Sequence, residues 1–255
     1  MNILLFRLYA PLASWGDVAV GEFRPSLGYP GRSSLLGLIG AALGIDRGDE
    51  ARHRTLDDGL AFAVAVYSEG TLLRDYHTAQ VPGAADLKKR PHRTRADELA
   101  VPRHELNTIL STRDYRQDAL CVAGTWLRPE ATGIDLNEIC SGLARPRFTL
   151  YLGRKACPPA LPLSPQLVEA VDFRSALNTA HFPPIEEAVA PNLTAQPLRV
   201  AWEDGASVGW PQSFSVPRKD APLSRRRWQF GDRTERVALI AAPNPAGEAG
   251  EDAAP

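Results

Sequence analysis

Apolar and polar positions alternate between dense blocks and long gaps along this chain. Asn2 to Tyr9 carries Ile3, Leu4, Leu5, Phe6 and Leu8 with a single Arg7 inserted, the pattern of a buried strand. A Gly/Pro-rich connection follows. Ser33 then stands where a helix N-cap belongs, before the apolar run from Leu35 to Leu43, and Gly44 suits the C-terminal stop. Phe62–Tyr67 predicts a second strand, closed by Glu69 and Gly70. Residues 70–117 have no sustained apolar periodicity. Beyond them the pattern predicts a strand at Ala119–Leu127, a helix at Ile134–Leu143 and a strand at Arg147–Leu152. With the polar stretch set aside, the order is β-α-β twice, which predicts an α+β fold with a ferredoxin-like (RRM-like) sheet. The stretch at about 78–117 then becomes a protruding thumb insertion between the two middle strands, too long for an ordinary loop.

The C-terminal third changes character. Prolines from Pro158 to Pro217 punctuate it, leaving one helix near Leu167–Asn178 and short strands at Leu198–Trp202, Arg227–Phe230 and Val237–Ala241. The division expected is therefore an RRM-like domain at 1–152 and a small β-rich accessory domain at 153–242. Residues 243–255 hold three acids and no bulky apolar side chain, and read as a disordered tail.

The chain has 255 residues, 44% hydrophobic and 23% charged, enough apolar material to form a core. The longest apolar run is far too short for a membrane crossing, and the N-terminal residues lack the basic start of a signal peptide. A cytoplasmic protein with no membrane partner is expected. The net charge of −1 argues against a strongly basic nucleic-acid binder, but the charges are segregated. Lys88, Lys89, Arg90, Arg93 and Arg95 form an acid-free run, as do Arg145, Arg147, Arg154 and Lys155. A third group, Arg218, Lys219 and Arg225–Arg227, contains only Asp220. A basic run is commonly a solvated face. Three of them favour a nucleic-acid partner without deciding for one.

The chemistry-bearing residues fall into four groups. Arg32, Ser33 and Ser34 at a helix start offer backbone N–H groups and a cation to a phosphate, or simply cap a helix packed on a sheet. Arg74, Tyr76 and His77 combine a phosphate binder with two rings that can stack on unpaired bases, or end a strand with a surface ion pair. Lys88 and Lys89 lie in the polar insertion, and Arg113 and Tyr115 return along it. Arg154 and Lys155 flank Gly153 at the end of the last predicted strand. Five scattered histidines and three widely spaced cysteines match no metal-ligand spacing, so neither a metal nor another cofactor is expected. His77 with Lys88 or Lys89 has the residue types for metal-independent RNA cleavage, which composition alone leaves open. A stand-alone RRM-like regulator is a third reading.

Several long segments in fixed order carry a family likeness: LLFRLYAPLASWG, RPSLGYPGRSSLLGLIGAALGI, LRDYHT, TRDY and RFTLYLGRKACPPALPL. Over residues 3 to about 165 the chain resembles the CasD family, the RAMP-type subunit of the type I-E CRISPR Cascade complex. That resemblance implies a ferredoxin-like domain with a thumb and a small C-terminal domain. It also implies a non-catalytic subunit in antiviral defence that holds the 5′ handle of the CRISPR RNA and caps the filament of backbone subunits. The implied partners are the RNA, the backbone subunits and the large subunit, with target DNA met indirectly through the complex. Relatives in another subtype cut precursor RNA, whereas type I-E proteins leave cleavage to a separate subunit.

Overall fold

A computed structural model describes residues 1–88, 93–185, 196–203 and 206–240. The expected tail at 243–255 lies outside these residues, as does Lys89. The first strand, β1 (Asn2–Ala13), is four residues longer than its apolar block and buries Ile3 through Ala10 without a gap. Burial on both faces is why it reads as a continuous apolar run instead of an alternation. Short strands β2 (Trp15–Gly16), β3 (Phe23–Arg24) and β4 (Ser26–Leu27) lead into helix α1 (Arg32–Ala42). The helix begins two residues before the expected cap: Gly31 is the N-cap, and Ser33 and Ser34 lie in the first turn. Gly44, at φ +69°, ends it as expected.

Helix α2 (Glu50–Gly59) has no apolar stripe to announce it, because Leu56 is its one buried side chain apart from Gly59. It runs into β5 (Leu60–Ser68). After a turn at Gly70, β6 (Thr71–Pro82) pairs residue by residue with the first half of the 22-residue strand β7 (Leu106–Leu127). The polar insertion is therefore a two-stranded antiparallel arm. Short helices α3 (Ala84–Lys88) and α4 (Arg95–Leu99) stand between its strands. None of Thr71–Val81 is buried, and on β7 only the base of the arm meets the core, through buried Asp114 and half-buried Tyr115, so its sequence lacks an apolar period. Asp118, at φ +57°, marks where β7 passes from arm to core, and the nearby register shift lies on β5, between Val66 and Ser68.

After α5 (Leu136–Ala144) the chain departs from expectation. Arg147–Leu152 is not a strand. The N–H groups of Arg147 and Phe148 instead donate to the carbonyls of Ala42 and Ala41, satisfying the open end of α1. Gly153, at φ +88°, then passes so close to Ser14 that a Cβ would lie 1.7 Å from its carbonyl oxygen. The strand that pairs with β1 comes later, β8 (Gln166–Glu169). The helix expected there is shorter, α6 (Phe173–Thr179), capped by Asp172.

Strands β9 (Arg199–Glu203), β10 (Phe214–Ser224) and β11 (Gln229–Leu239) extend the same sheet, in the order β10-β11-β9-β5-β7-β1-β8. Val237 and Ala201 join the core formed by β1 and α1. The opposite face of the sheet is covered too. Phe173, fully buried, fills the space left by Gly124, where a Cβ would come within 2.4 Å of its ring. Ile3, Leu5, Val122 and Trp126 lie in that second core. Burying a ring of this size contributes about 1.5–3 kcal/mol.

Candidate nucleic-acid interface

Pairing register decides which predicted residues meet. In the arm Arg74 stands opposite Asp114 and Tyr76 opposite Thr112, whereas His77 stands opposite Ser111 and Asp75 opposite Arg113. Side chains alternate across a ribbon, so Arg74 and Tyr76 share one face, and His77, Arg113 and Tyr115 share the other. The sequence grouped Arg74, Tyr76 and His77; the pleat separates them.

On the first face the Arg74 guanidinium donates to both carboxylate oxygens of Asp114, at 2.8 and 3.1 Å, and lies 5.2 Å from the Phe23 ring centroid. The buried Asp114 carboxylate raises the pKa of Arg74 through these hydrogen bonds. Tyr76 beside it is 65% exposed. The second face is more strongly cationic. Arg154 packs over the Tyr115 ring at 4.6 Å and donates to the backbone carbonyls of Asp114 and Arg24, at 3.1 and 3.0 Å. Short strand β3 brings Arg24 into parallel register with Arg113. Arg24 and Arg113 thus lie in register beside Arg154, which covers Tyr115, and Lys155 is exposed. Asp75 is the opposing carboxylate, 3.4 Å from His77 Nδ1. Arg24 carries no local signal of this place, because β3, which brings it beside the arm, is only two residues long. Lys88 is exposed at the end of α3.

At the helix start the cation already has partners within the protein. Arg32 is only 6% exposed, and its guanidinium pairs with Asp57 at 2.7 Å and with Glu203, while packing 5.3 Å from the Phe62 ring. Glu203 also accepts from Arg128 at 2.7 Å. The N-cap Gly31 lies against the Asp220 carboxylate, so the positive end of the helix already faces an anion of the protein's own. Ser33 and Ser34 are half-buried beside it. A second ionic cluster continues this seam. Arg233 holds Asp220 at 2.6 and 3.1 Å and Glu235 at 2.8 Å, and Arg218 donates to Glu235 at 2.8 Å. Tyr29 donates to Glu235 at 2.7 Å, and burial pushes its pKa up.

Among the described residues no cluster of His, Cys, Asp or Glu could hold a metal ion, and no helix is long and apolar enough to cross a membrane. Buried Cys121 has its pKa raised by desolvation and then by Glu69, which makes it an inert core thiol.

Comparison with known proteins fixes the family. The family model described as CRISPR-associated protein (Cas_Cas5) matches residues 3–236. The chain belongs to the Cas5 family of CRISPR-associated proteins. Among curated Cas5 relatives, the CRISPR system Cascade subunit CasD of Escherichia coli (strain K12) is 33% identical over 224 residues, covering 84% of this chain and 92% of that protein. A solved CRISPR RNA-guided surveillance complex contains a chain 29% identical, with TM-score 0.62 and 95% of each chain covered. A crystal structure of a Cas protein, 24% identical with TM-score 0.54, covers 93% of this chain and 94% of its own, and shares the fold. The match to residue 236 takes the Cas5 likeness through the strands β9 to β11, well past residue 165 where the sequence motifs faded.

Proposed function

We propose that this chain is a non-catalytic, cytoplasmic subunit of a CRISPR Cascade complex that holds the 5′ handle of the CRISPR RNA and caps the backbone filament. The observation that carries the reading is the arm: a ribbon whose outer strand is nowhere buried over Thr71–Val81, exposing Tyr76 on one side, with Arg24, Arg113, Arg154 and Lys155 near its base on the other. Cations along a backbone and rings against unpaired bases are what single-stranded RNA requires. The relatives named for Cascade and for an RNA-guided surveillance complex support the same assembly. In this reading the backbone and large subunits meet the remaining faces, and target DNA is reached only through the complex.

The order β8-β1-β7-β5, antiparallel throughout, with α1 and α5 as crossovers, supports a ferredoxin-like unit whose thumb is the arm. An RRM reads bases on the open face of such a sheet. Here α6 covers that face, with Phe173 over Gly124, so recognition passes to the arm. Strands β9 to β11 are the accessory β-rich part. Arg32, Ser33 and Ser34 drop out of the RNA surface, since the guanidinium is buried and a carboxylate stands at the helix start.

The test is titration of labelled handle RNA with the full chain at physiological salt. Combined Arg113→Ala and Tyr76→Ala changes should lower affinity at least as much as one charge-assisted contact, about 1–3 kcal/mol. Equal affinity would overturn the assignment. Incubation with labelled repeat RNA tests the nuclease alternative: site-specific cleavage that disappears in His77→Ala would replace the present reading.

A further inference from the structure

The third basic run divides in space. Arg218 turns inward to Glu235, and Arg225 is buried against α1, where it donates to the Ser33 carbonyl at 2.6 Å. Arg226 and Arg227 stand exposed at the turn between β10 and β11. Trp228 closes that turn at φ +57°, a region that large side chains rarely occupy, and it is 58% exposed. Other tryptophans at 15, 126 and 202 are buried. The Trp228 ring is held in place: Arg47 stacks 4.6 Å from its centroid and Phe230 meets it edge-on at 5.3 Å. Glu50 fixes the turn itself, accepting from Ser224 Oγ and from the Arg226 backbone N–H at 3.3 Å. Both bonds go to Glu50 Oε1, and in the cleft of about 480 Å³ that it helps to line, this one carboxylate faces two exposed cations, Arg226 and Arg227.

The two exposed cations beside the ring supply phosphate contacts, and the ring, held by Arg47 and Phe230, supplies a platform that an unpaired base can cover. A duplex offers no open base face, so the chemistry fits a single strand, whether RNA or DNA. The register separates this turn from the arm. β11 runs past the Glu235–Glu203 pair, beyond the end of the sheet near Leu60, whereas the arm leaves beyond Ser68 at the other end.

We propose that the Arg226-Arg227-Trp228 turn, with Arg47, is a second single-strand nucleic-acid contact, separate from the arm. It goes beyond the handle-binding reading and stands or falls independently of it. The test uses the full chain carrying Tyr76→Ala, Arg113→Ala and Lys155→Ala, so that the arm is neutralised. The probes are fluorescently labelled oligouridine and oligothymidine of about twelve nucleotides, a duplex of equal length, and a polyglutamate peptide. Tryptophan emission is followed alongside probe anisotropy. Binding to the single strands, with quenching, is expected. It should weaken about tenfold with Arg226→Ala plus Arg227→Ala, and likewise with Trp228→Ala. Trp228→Phe should keep most of the binding and lose the quenching. Quenching by oligouridine alone would assign the strand to RNA, and quenching by both would leave the site open to either. Absence of binding, preference for the duplex, or binding of the peptide in place of the oligonucleotides would each overturn the proposal.

Discussion

Two regions rich in arginine illustrate opposite uses of one side chain. In the seam between α1 and strands β9 to β11, Arg32, Arg218 and Arg233 are largely buried, and each faces carboxylates. At the base of the arm, exposed Arg24 and half-exposed Arg113 and Arg154 form no carboxylate pair of that kind among the described residues, and Asp75 stands opposite Arg113 in the ribbon. The seam consumes its charge to join the two ends of the chain. The arm keeps its charge available. Burial and the pairing it enforces, more than the density of basic residues, separate arginine committed to the protein's own carboxylates from arginine open to a partner.

The sharpest way to break this comparison is to remove a seam carboxylate. Glu203→Ala leaves the buried Arg32 guanidinium short of a partner and should cost about 3–5 kcal/mol of stability, measured by denaturant unfolding. The same variant, under conditions where it stays folded, should bind handle RNA as wild type does. A loss of RNA affinity without a loss of stability would move Glu203 and Arg32 to the functional side.

A smaller effect is expected within the arm. Asp114→Asn removes the charge that ties down Arg74, leaving the guanidinium free to meet a phosphate. Stability should fall, because Asp114 is buried, while RNA affinity at low salt should hold or rise slightly. A large loss of affinity would mean that Arg74 must be fixed to act.

The smallest effect concerns pH. His53 on α2 packs against Gly40, and burial, then the nearby Arg225 charge, lowers its pKa below the usual 6.5. Its Nε2 has no hydrogen-bond partner among the described residues. The unfolded chain therefore takes up this proton more readily than the folded one. The stability it contributes is complete above pH 6.5 and declines as pH falls through the folded value. His53→Gln should flatten that part of the stability–pH curve, and an unchanged slope would place the titration elsewhere.

Legibility followed burial. The apolar blocks at Ile3–Leu8, Leu35–Leu43, Phe62–Tyr67 and Ala119–Leu127 each became the element they predicted, because each fills the core on at least one side. The arm was legible as an insertion but not as strands: with none of Thr71–Val81 buried, the ribbon imposes no hydrophobic period. Arg147–Leu152 has strand composition, yet the N–H groups of Arg147 and Phe148 go to the end of α1 and that of Leu152 to Cys157, a competition that only tertiary packing decides. The candidate site was half legible. Arg113, Tyr115 and Arg154 do gather, but Arg24 joins them through β3, and the partner that withdraws Arg32 lies 171 residues away at Glu203. No local pattern carries that distance.

The claim that the arm holds the RNA is tested most directly by photocrosslinking. Handle RNA substituted with 4-thiouridine at successive positions would be irradiated with the full chain, and the attached peptides identified. The account predicts crosslinks within Thr71–Pro82, within Leu106–Gln117 and beside Arg154 and Lys155. Crosslinks confined to the start of α1, at Arg32, Ser33 and Ser34, with the arm unmarked, would contradict it.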